Sequence, residues 1–347
     1  MAEKTRKTKE QDQTAPEVSP GFAHIPVSHK TGVFRSTFPG GVQAIPGAVK
    51  EGSEPFTAGG VWQNNSILRV LSKSQYGASL LILPRKNETT SLEEENLCQM
   101  IKLYKLADNM DGEEFLKKLS SVEVGEEAAP RLLSSCLQEG YAALASPYIS
   151  QPSLESLIAA QAPYSEHEAL YIIYTISKLL DQVKEKYSLI HGRLKPSKIL
   201  FSRSARPKIL GLGLGEILRN EPHIRTQEKL FYMSPEYIKG ESLTWQSDMY
   251  SLGIILFRLL TGVLPFYSPS REEVEAMHLS AVLPFPSDRN QSCKISPRTW
   301  SVLSRMTMKE PHQRFATPEK YFDALVSADK ALEGAENPTE KQRTTTI

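Results

Sequence analysis

Residues Ile190 to Gly215 read IHGRLKPSKILFSRSARPKILGLGLG, and this stretch decides the fold. It holds two short apolar runs, Ile199-Leu200-Phe201 and Ile209-Leu210. A polar, proline-containing turn from Ser202 to Pro207 separates them. Apolar run, turn, apolar run reads as two strands joined tightly. A loop carrying His191, Lys195 and Pro196 precedes the first strand. Upstream of that loop, Ser165-x-x-Glu168 is a capping box. Behind it Ala169, Ile172, Ile173, Ile176, Leu180, Val183 and Tyr187 trace one face of a long helix that delivers the chain to His191.

Downstream, an apolar run from about Asp248 to Leu260 predicts a helix buried on all sides, ended by Gly262 and Pro265. Thr317-Pro318 opens a last helix, expected to reach about Leu332. The stretch 190–215 resembles the catalytic and metal-binding loops of the protein kinase family, H-R-D-L-K-P-x-N-I-L followed by D-F-G. Here the first runs from His191 to Leu200 and the second is Gly211-Leu212-Gly213. Four further segments match in order. Tyr232-Met233-Ser234-Pro235-Glu236 is similar to the A-P-E segment, and Asp248 to Gly253 to the D-x-x-S-x-G that opens the central helix. Thr261 to Phe266 is similar to T-G-x-x-P-F, and Pro311-x-x-Arg314-Phe315 to the late P-x-x-R-F. The resemblance covers about Phe56 to Gly334.

The resemblance implies an α+β, bilobal protein-kinase-like fold with a small β-rich N-terminal lobe and a larger, mainly helical C-terminal lobe. The expected boundaries are an arm at 1–54, an N-lobe at 55–149, a C-lobe at 150–334 and a tail at 335–347. It also implies structural roles for four residues. Glu236 pairs with Arg314, and Asp248 accepts backbone N–H bonds from the loop at His191.

In the N-lobe, Ser66 to Leu71 and Ala78 to Leu83 are strand candidates around a turn at Gly77. Leu97, Met100, Ile101 and Tyr104 give a helical stripe, so a helical region is expected from about Leu92 to Leu119, broken near Asn109 to Gly112. Strands are expected near Arg131 to Leu133 and Tyr141 to Leu144. On this alignment the third-strand lysine of the family falls at Leu83. The hinge places the Pro147 carbonyl and the Ile149 N–H beside the adenine position.

The same alignment shows what is missing for phosphoryl transfer, which demands charge neutralisation and positioning. Arg193 stands where the catalytic Asp is expected, and a guanidinium accepts no proton. Lys198 and Gly211 stand at the two metal-ligand positions, and hard cations need oxygen ligands. Lys195 survives, and with Arg193 and Lys198 it forms either a metal-free anion or nucleotide site or merely solvated charge. The expectation is a catalytically inactive kinase-like domain acting as a binding, scaffold or regulatory module. The alternatives are a divergent Ser/Thr kinase and an ATP-binding sensor without turnover. No metal and no obligatory cofactor is expected; ATP without Mg²⁺ is admitted, and a protein partner is implied.

Composition bounds the remaining classes. With 41 Lys+Arg against 40 Asp+Glu over 347 residues the net charge is +1, which does not suggest a nucleic-acid or polyanion binder. Cys98, Cys136 and Cys293 are widely spaced, which argues against a zinc site and for a reducing compartment. The most apolar run, Leu252 to Phe266, is too short for a membrane span and is interrupted by Arg258. The polar start MAEKTRKTKEQDQ does not read as a secretory signal. A cytoplasmic protein is expected.

Overall fold

A computed structural model describes residues 61–62, 65–74, 77–83, 98–201, 206–219 and 230–330. The expected arm at 1–54 and tail at 335–347 lie outside the described residues.

The first lobe is built on a six-stranded antiparallel sheet of order β1-β2-β3-β4-β6-β5. Its strands are β1 (Val61–Trp62), β2 (Asn65–Ser74), β3 (Gly77–Leu83), β4 (Gln99–Lys105), β5 (Ser134–Gln138) and β6 (Tyr141–Pro147). Helix α1 (Gly112–Ser120) is inserted between β4 and β5. Asp111 caps it, its carboxylate accepting from the N–H groups of Glu113 and Glu114 at 3.0 Å each.

Alternation sorts the sheet's side chains onto two faces. Ile67, Leu80, Ile82, Ile101, Leu103, Ala143 and Ala145 pack with Trp62 in one cluster. Tyr104 and Ala142 belong to a second cluster, packed against Phe115 and Leu119 of α1.

Two sequence expectations change here. Residues 99–105 are strand, not helix. Met100, Ile101 and Tyr104 do fit a helical stripe, but Ile101 and Leu103 serve one face of the sheet while Tyr104 serves the other. A strand covered on both faces is apolar without simple alternation, and periodicity alone cannot separate it from a helix. The part of the expected helix at 92–97 lies outside the described residues. The strand expected at Arg131 to Leu133 begins instead at Ser134, although the Leu133 N–H already bonds the Ala145 carbonyl at 2.8 Å.

The second lobe is helical, with α2 (Leu154–Gln161), α3 (Glu166–Tyr187), α4 (Leu214–Arg219), α5 (Pro235–Lys239) and α6 (Trp245–Thr261). Helices α7 (Arg271–Ser280), α8 (Pro286–Arg289), α9 (Pro297–Met306) and α10 (Pro318–Ala328) complete it. The capping box at α3 forms as its sequence implies, with Ser165 and Glu168 each bonding the other's backbone N–H. Strands β7 (Ile199–Phe201) and β8 (Pro207–Ile209) pair antiparallel below the hinge. Helix α6 is buried on all sides and ends on Gly262 in the left-handed region, as its composition implies. Helix α10 stops at Ala328, short of the expected Leu332. Among the described residues no helix is long and apolar enough to cross a membrane.

Candidate functional site

The loop between α3 and β7 sits on Asp248, in the first turn of α6. The Asp248 carboxylate accepts the N–H of His191 at 2.8 Å and of Gly192 at 2.7 Å. Burial pushes this carboxyl up to about 7, against the pull of those two bonds. His191 is 1% exposed. Its Nδ1 accepts the Arg193 N–H at 3.1 Å, so its Nε2 carries the proton and donates to the Leu210 carbonyl at 3.2 Å. Burial, helped by the Lys198 ammonium, holds the ring well below its ordinary pKa and therefore neutral. One histidine thus ties the loop to the strand that leads into Gly211.

At Gly211 the backbone turns with φ +79°, a conformation that side chains with a Cβ disfavour. A Cβ built there would lie 3.1 Å from Lys198 Nζ. The lysine ammonium therefore stands where a metal-binding carboxylate would project. The chemistry of this donor set does not fit Mg²⁺. One position offers no side chain, the other offers a cation, and the hard ion needs oxygen ligands. Among the described residues no cluster of His, Cys, Asp or Glu could hold a metal either.

The chain leaving Gly211 does not run out into solvent. It forms α4, whose Leu214 and Leu218 join the cluster of Tyr104, Phe115 and Leu119 beneath the sheet. Glycine makes the approach geometrically available: a Cβ at Gly215 would lie 2.3 Å from the His191 carbonyl oxygen and 3.0 Å from Gly192 Cα. The Glu216 carboxylate then accepts the Leu243 N–H at 2.9 Å. Helix α4 is held at once by the sheet, the His191 loop and the segment before α6. The glycine-rich sequence reads as a loop, and nothing in its periodicity foretells this burial.

The structure moves one expected site residue. Leu83 ends β3 and pairs with Ser66, away from the strand that precedes α1. In kinases the phosphate-anchoring lysine lies on the third strand, ahead of the helix whose Glu it pairs with. Counted from the helix, that strand is β4, and its lysine is Lys102, opposite Ser79 and Leu144. The signal was present as Met100-Ile101-Lys102 against the A-I-K of the family's V-A-I-K. Lys102 shares its face with Tyr104, its Nζ 5.9 Å from that ring's centroid, and donates to Ser79 Oγ at 2.9 Å. Helix α1 offers Glu113 and Glu114 in its first turn, and Glu114 is bonded to Lys118 at 2.7 Å.

At the hinge, Pro147 closes β6 opposite Gln99. The Tyr148 N–H bonds the Cys98 carbonyl at 2.9 Å, and the Ile149 carbonyl accepts from Gln151 at 2.9 Å. Lys195 is half-buried and precedes a short 3-10 turn, Pro196–Lys198.

Away from the cleft, Arg314 and Glu236 form a bidentate pair at 2.7 and 2.9 Å. The same guanidinium also donates to the carbonyls of Met308, Lys309 and Gln246. Burial pushes the Glu236 carboxyl up, but Arg314 more than offsets it and holds the group below the usual carboxylate range.

A small antiparallel lobe, a hinge, a helical lobe and a His-centred loop hung on a buried Asp of the central helix together define a protein-kinase-like molecule. The chain belongs to the protein kinase family: the protein kinase domain model matches residues 88–324. It is similar to the probable serine/threonine-protein kinase PknB of Lactococcus lactis, 29% identical over 184 residues, covering 52% of this chain and 29% of that protein. It is also similar to the serine/threonine-protein kinase PrkC of Bacillus subtilis, 31% identical over 175 residues, covering 50% of this chain and 26% of that protein. A plant relative is the calcium and calcium/calmodulin-dependent serine/threonine-protein kinase of Pisum sativum, 29% identical over 185 residues, covering 52% of this chain and 34% of that protein. The chain thus spans about a third or less of the length of these three relatives.

Proposed function

We propose that this chain is a non-catalytic protein-kinase-like module, which works by binding and not by transferring phosphate. The observation that carries this reading is Lys198 Nζ standing 3.1 Å from the Cβ position of Gly211. Phosphoryl transfer relies on metal ions that bridge the phosphates and neutralise developing charge. Here one ligand position offers no side chain and the other a lysine whose ammonium lies beside it. Arg193 removes the carboxylate that would receive the acceptor's proton. Helix α4, seated between the His191 loop and the sheet, occupies space beside the cleft and adds to the same reading.

The role that follows is a scaffold or regulatory one with a protein partner, in a soluble compartment. Balanced charge gives no reason to invoke nucleic acid. Any nucleotide enters without Mg²⁺. The second reading is a divergent Ser/Thr kinase. It is favoured by the names of the relatives and by Lys102, which stands on the strand ahead of α1.

Transfer of labelled γ-phosphate from ATP to the chain itself and to generic Ser/Thr substrates separates the two. We expect no incorporation above a mock purification. Incorporation that is lost in Lys195→Ala and absent from the mock would establish the second reading instead.

A further inference from the structure

We propose that the outer edge of β5 pairs with the same edge of a second copy of this chain, antiparallel, so that one sheet runs through both copies. This supplies a partner of the kind the non-catalytic reading calls for, but it does not depend on that reading.

The two sides of the sheet are built differently. Exposed edges invite pairing, and proteins blunt them with bulges, charge and proline. On one side, β1 covers only Asn65 and Ser66 of β2 among the described residues. The rest of β2 carries two shifts of register against β3 and the exposed cations Arg69 and Lys73. On the other side, β5 has none of these devices. It reads Ser134-Ser135-Cys136-Leu137-Gln138, with no charge and no proline, and it pairs with β6 in unbroken register. Exposed Leu132 and Leu133 lead into it. Helix α1 lies over one face of this strand, where Ser120 Oγ donates to Ser135 Oγ at 2.9 Å and Leu137 packs on the α1 cluster.

The hairpin fixes which backbone groups face outward. Glu139 and Gly140, with φ 49° and 78°, form the two-residue turn between β5 and β6. Such a turn is closed by a pair that exchanges both ladder bonds, here Gln138 and Tyr141, and hydrogen-bonded pairs alternate from there. Gln138, Cys136 and Ser134 therefore direct their N–H and C=O at β6, while Ser135 and Leu137 direct theirs outward. Those outward groups have no partner among the described residues. One antiparallel register satisfies all of them: Ser135 opposite Leu137 of the second copy, and Leu137 opposite its Ser135. The twofold axis then passes beside Cys136, which faces its own counterpart as a non-hydrogen-bonded pair, Cα atoms about 4.5 Å apart. Charge fits the same register. Exposed Arg131 precedes the strand and exposed Glu139 follows it, so at each end the cation of one copy lies two positions from the anion of the other. Parallel pairing would set like charge beside like. Arg131 meets Glu126 at 3.3 Å, but both groups are exposed and such a contact holds little energy. Leu132 and Leu133 fall against the Glu139–Gly140 turn of the second copy, which is open: a Cβ at Gly140 would meet nothing within 4 Å.

The test uses the full chain, reduced, in sedimentation equilibrium from about 1 to 100 μM, the range of a small transient interface. The average mass should rise with concentration from monomer towards dimer. Brief oxidation with copper–phenanthroline should then cross-link Cys136 to its counterpart, because a disulfide spans Cα atoms at that separation, in preference to Cys98 and Cys293. Ser135→Pro removes an outward N–H that a solvent-facing edge can spare, and should weaken association at least about tenfold. Glu139→Lys should weaken it at least about twofold, and adding Arg131→Glu to the same chain should restore it. The proposal is overturned by a protein that stays monomeric over the whole range, or by a dimer that does not cross-link through Cys136. A Ser135→Pro variant that associates as tightly as the parent protein overturns it too. If that variant does not fold, the cross-link and the charge exchange decide, and a double exchange that fails to restore association counts against the register. None of these readouts involves phosphate transfer, so the non-catalytic reading stands or falls apart from them.

Discussion

Placing a carboxylate at Gly211 tests the geometry of the cleft quantitatively. Gly211→Asp puts a Cβ on a residue with φ +79°, a left-handed conformation that costs an ordinary residue about 1 kcal/mol and Asp somewhat less. The Cβ falls 3.1 Å from Lys198 Nζ, so the new carboxylate lies within ion-pair distance of that ammonium. Two unit charges at about 4 Å and an effective dielectric of about 20 attract by about 4 kcal/mol, and half-burial with side-chain entropy leaves about 1 kcal/mol of it. Strain and attraction therefore cancel, and Gly211→Asp alone should be within about 1 kcal/mol of the parent protein. It should still gain nothing from Mg²⁺, because the lysine fills the site. Lys198→Asn with Gly211→Asp removes the attraction and should be about 1–2 kcal/mol less stable when free. That double variant alone presents two oxygen donors to a metal. With Mg-ATP at about tenfold its Kd it should regain about 1.4 kcal/mol, a shift of about 3–6 °C. The assay is thermal and urea denaturation in ATP-EDTA against Mg-ATP. Preferential stabilisation of the parent protein by Mg-ATP would refute the reasoning about the metal. A Gly211→Asp variant more than about 3 kcal/mol less stable would refute the placement of Lys198.

Two further outcomes are expected. Glu236→Ala strips the carboxylate from a guanidinium that is 1% exposed and should cost about 3 kcal/mol in urea denaturation, with the three carbonyls limiting the loss. A loss under about 1 kcal/mol would mean the pair does not hold α5 to the segment before α10. His278 is held down to about 3 by burial, aided by Lys309, so the folded state refuses a proton that the unfolded chain accepts near 6.5. Its contribution is complete above pH 6.5 and is lost as pH falls towards about 3. Between about pH 7.5 and 5.5 the parent protein should lose about 1.4 kcal/mol relative to His278→Gln. Comparing the two cancels the opposing contribution of Asp248, whose raised carboxyl favours the folded state as pH falls. Parallel pH profiles would show that the ring titrates normally.

The helical lobe was legible because its signals are local and redundant. Ser165 and Glu168 announce α3, Gly262 ends α6, and Glu236, Asp248 and Arg314 occur within ordered segments whose spacing identifies them. The sheet was less legible for a physical reason. Covering both faces of β4 removes the alternation that marks a strand, which displaced the alignment and put Leu83 where Lys102 belongs. The residue types at 193, 198 and 211 could be read directly. Their relations could not, since pairing is a tertiary property: no sequence pattern says that Arg258 finds Glu155 while Arg193 finds no carboxylate among the described residues.

Charge sign links these observations to one another. The buried Arg314–Glu236 pair is opposite in charge and doubly hydrogen-bonded, and the Asp248 carboxyl is held by two backbone N–H groups, so these groups stabilise one arrangement of the helical lobe. Arg193 differs: its Nε is buried with no hydrogen-bond partner, so its guanidinium carries a desolvation cost that Arg258 and Arg314 offset with theirs. Replacing Arg193 by a neutral side chain, as in Arg193→Gln, should therefore leave the protein no less stable in urea denaturation. A neutral variant that is less stable by more than about 1 kcal/mol would place the guanidinium among the structural groups, alongside Arg258 and Arg314.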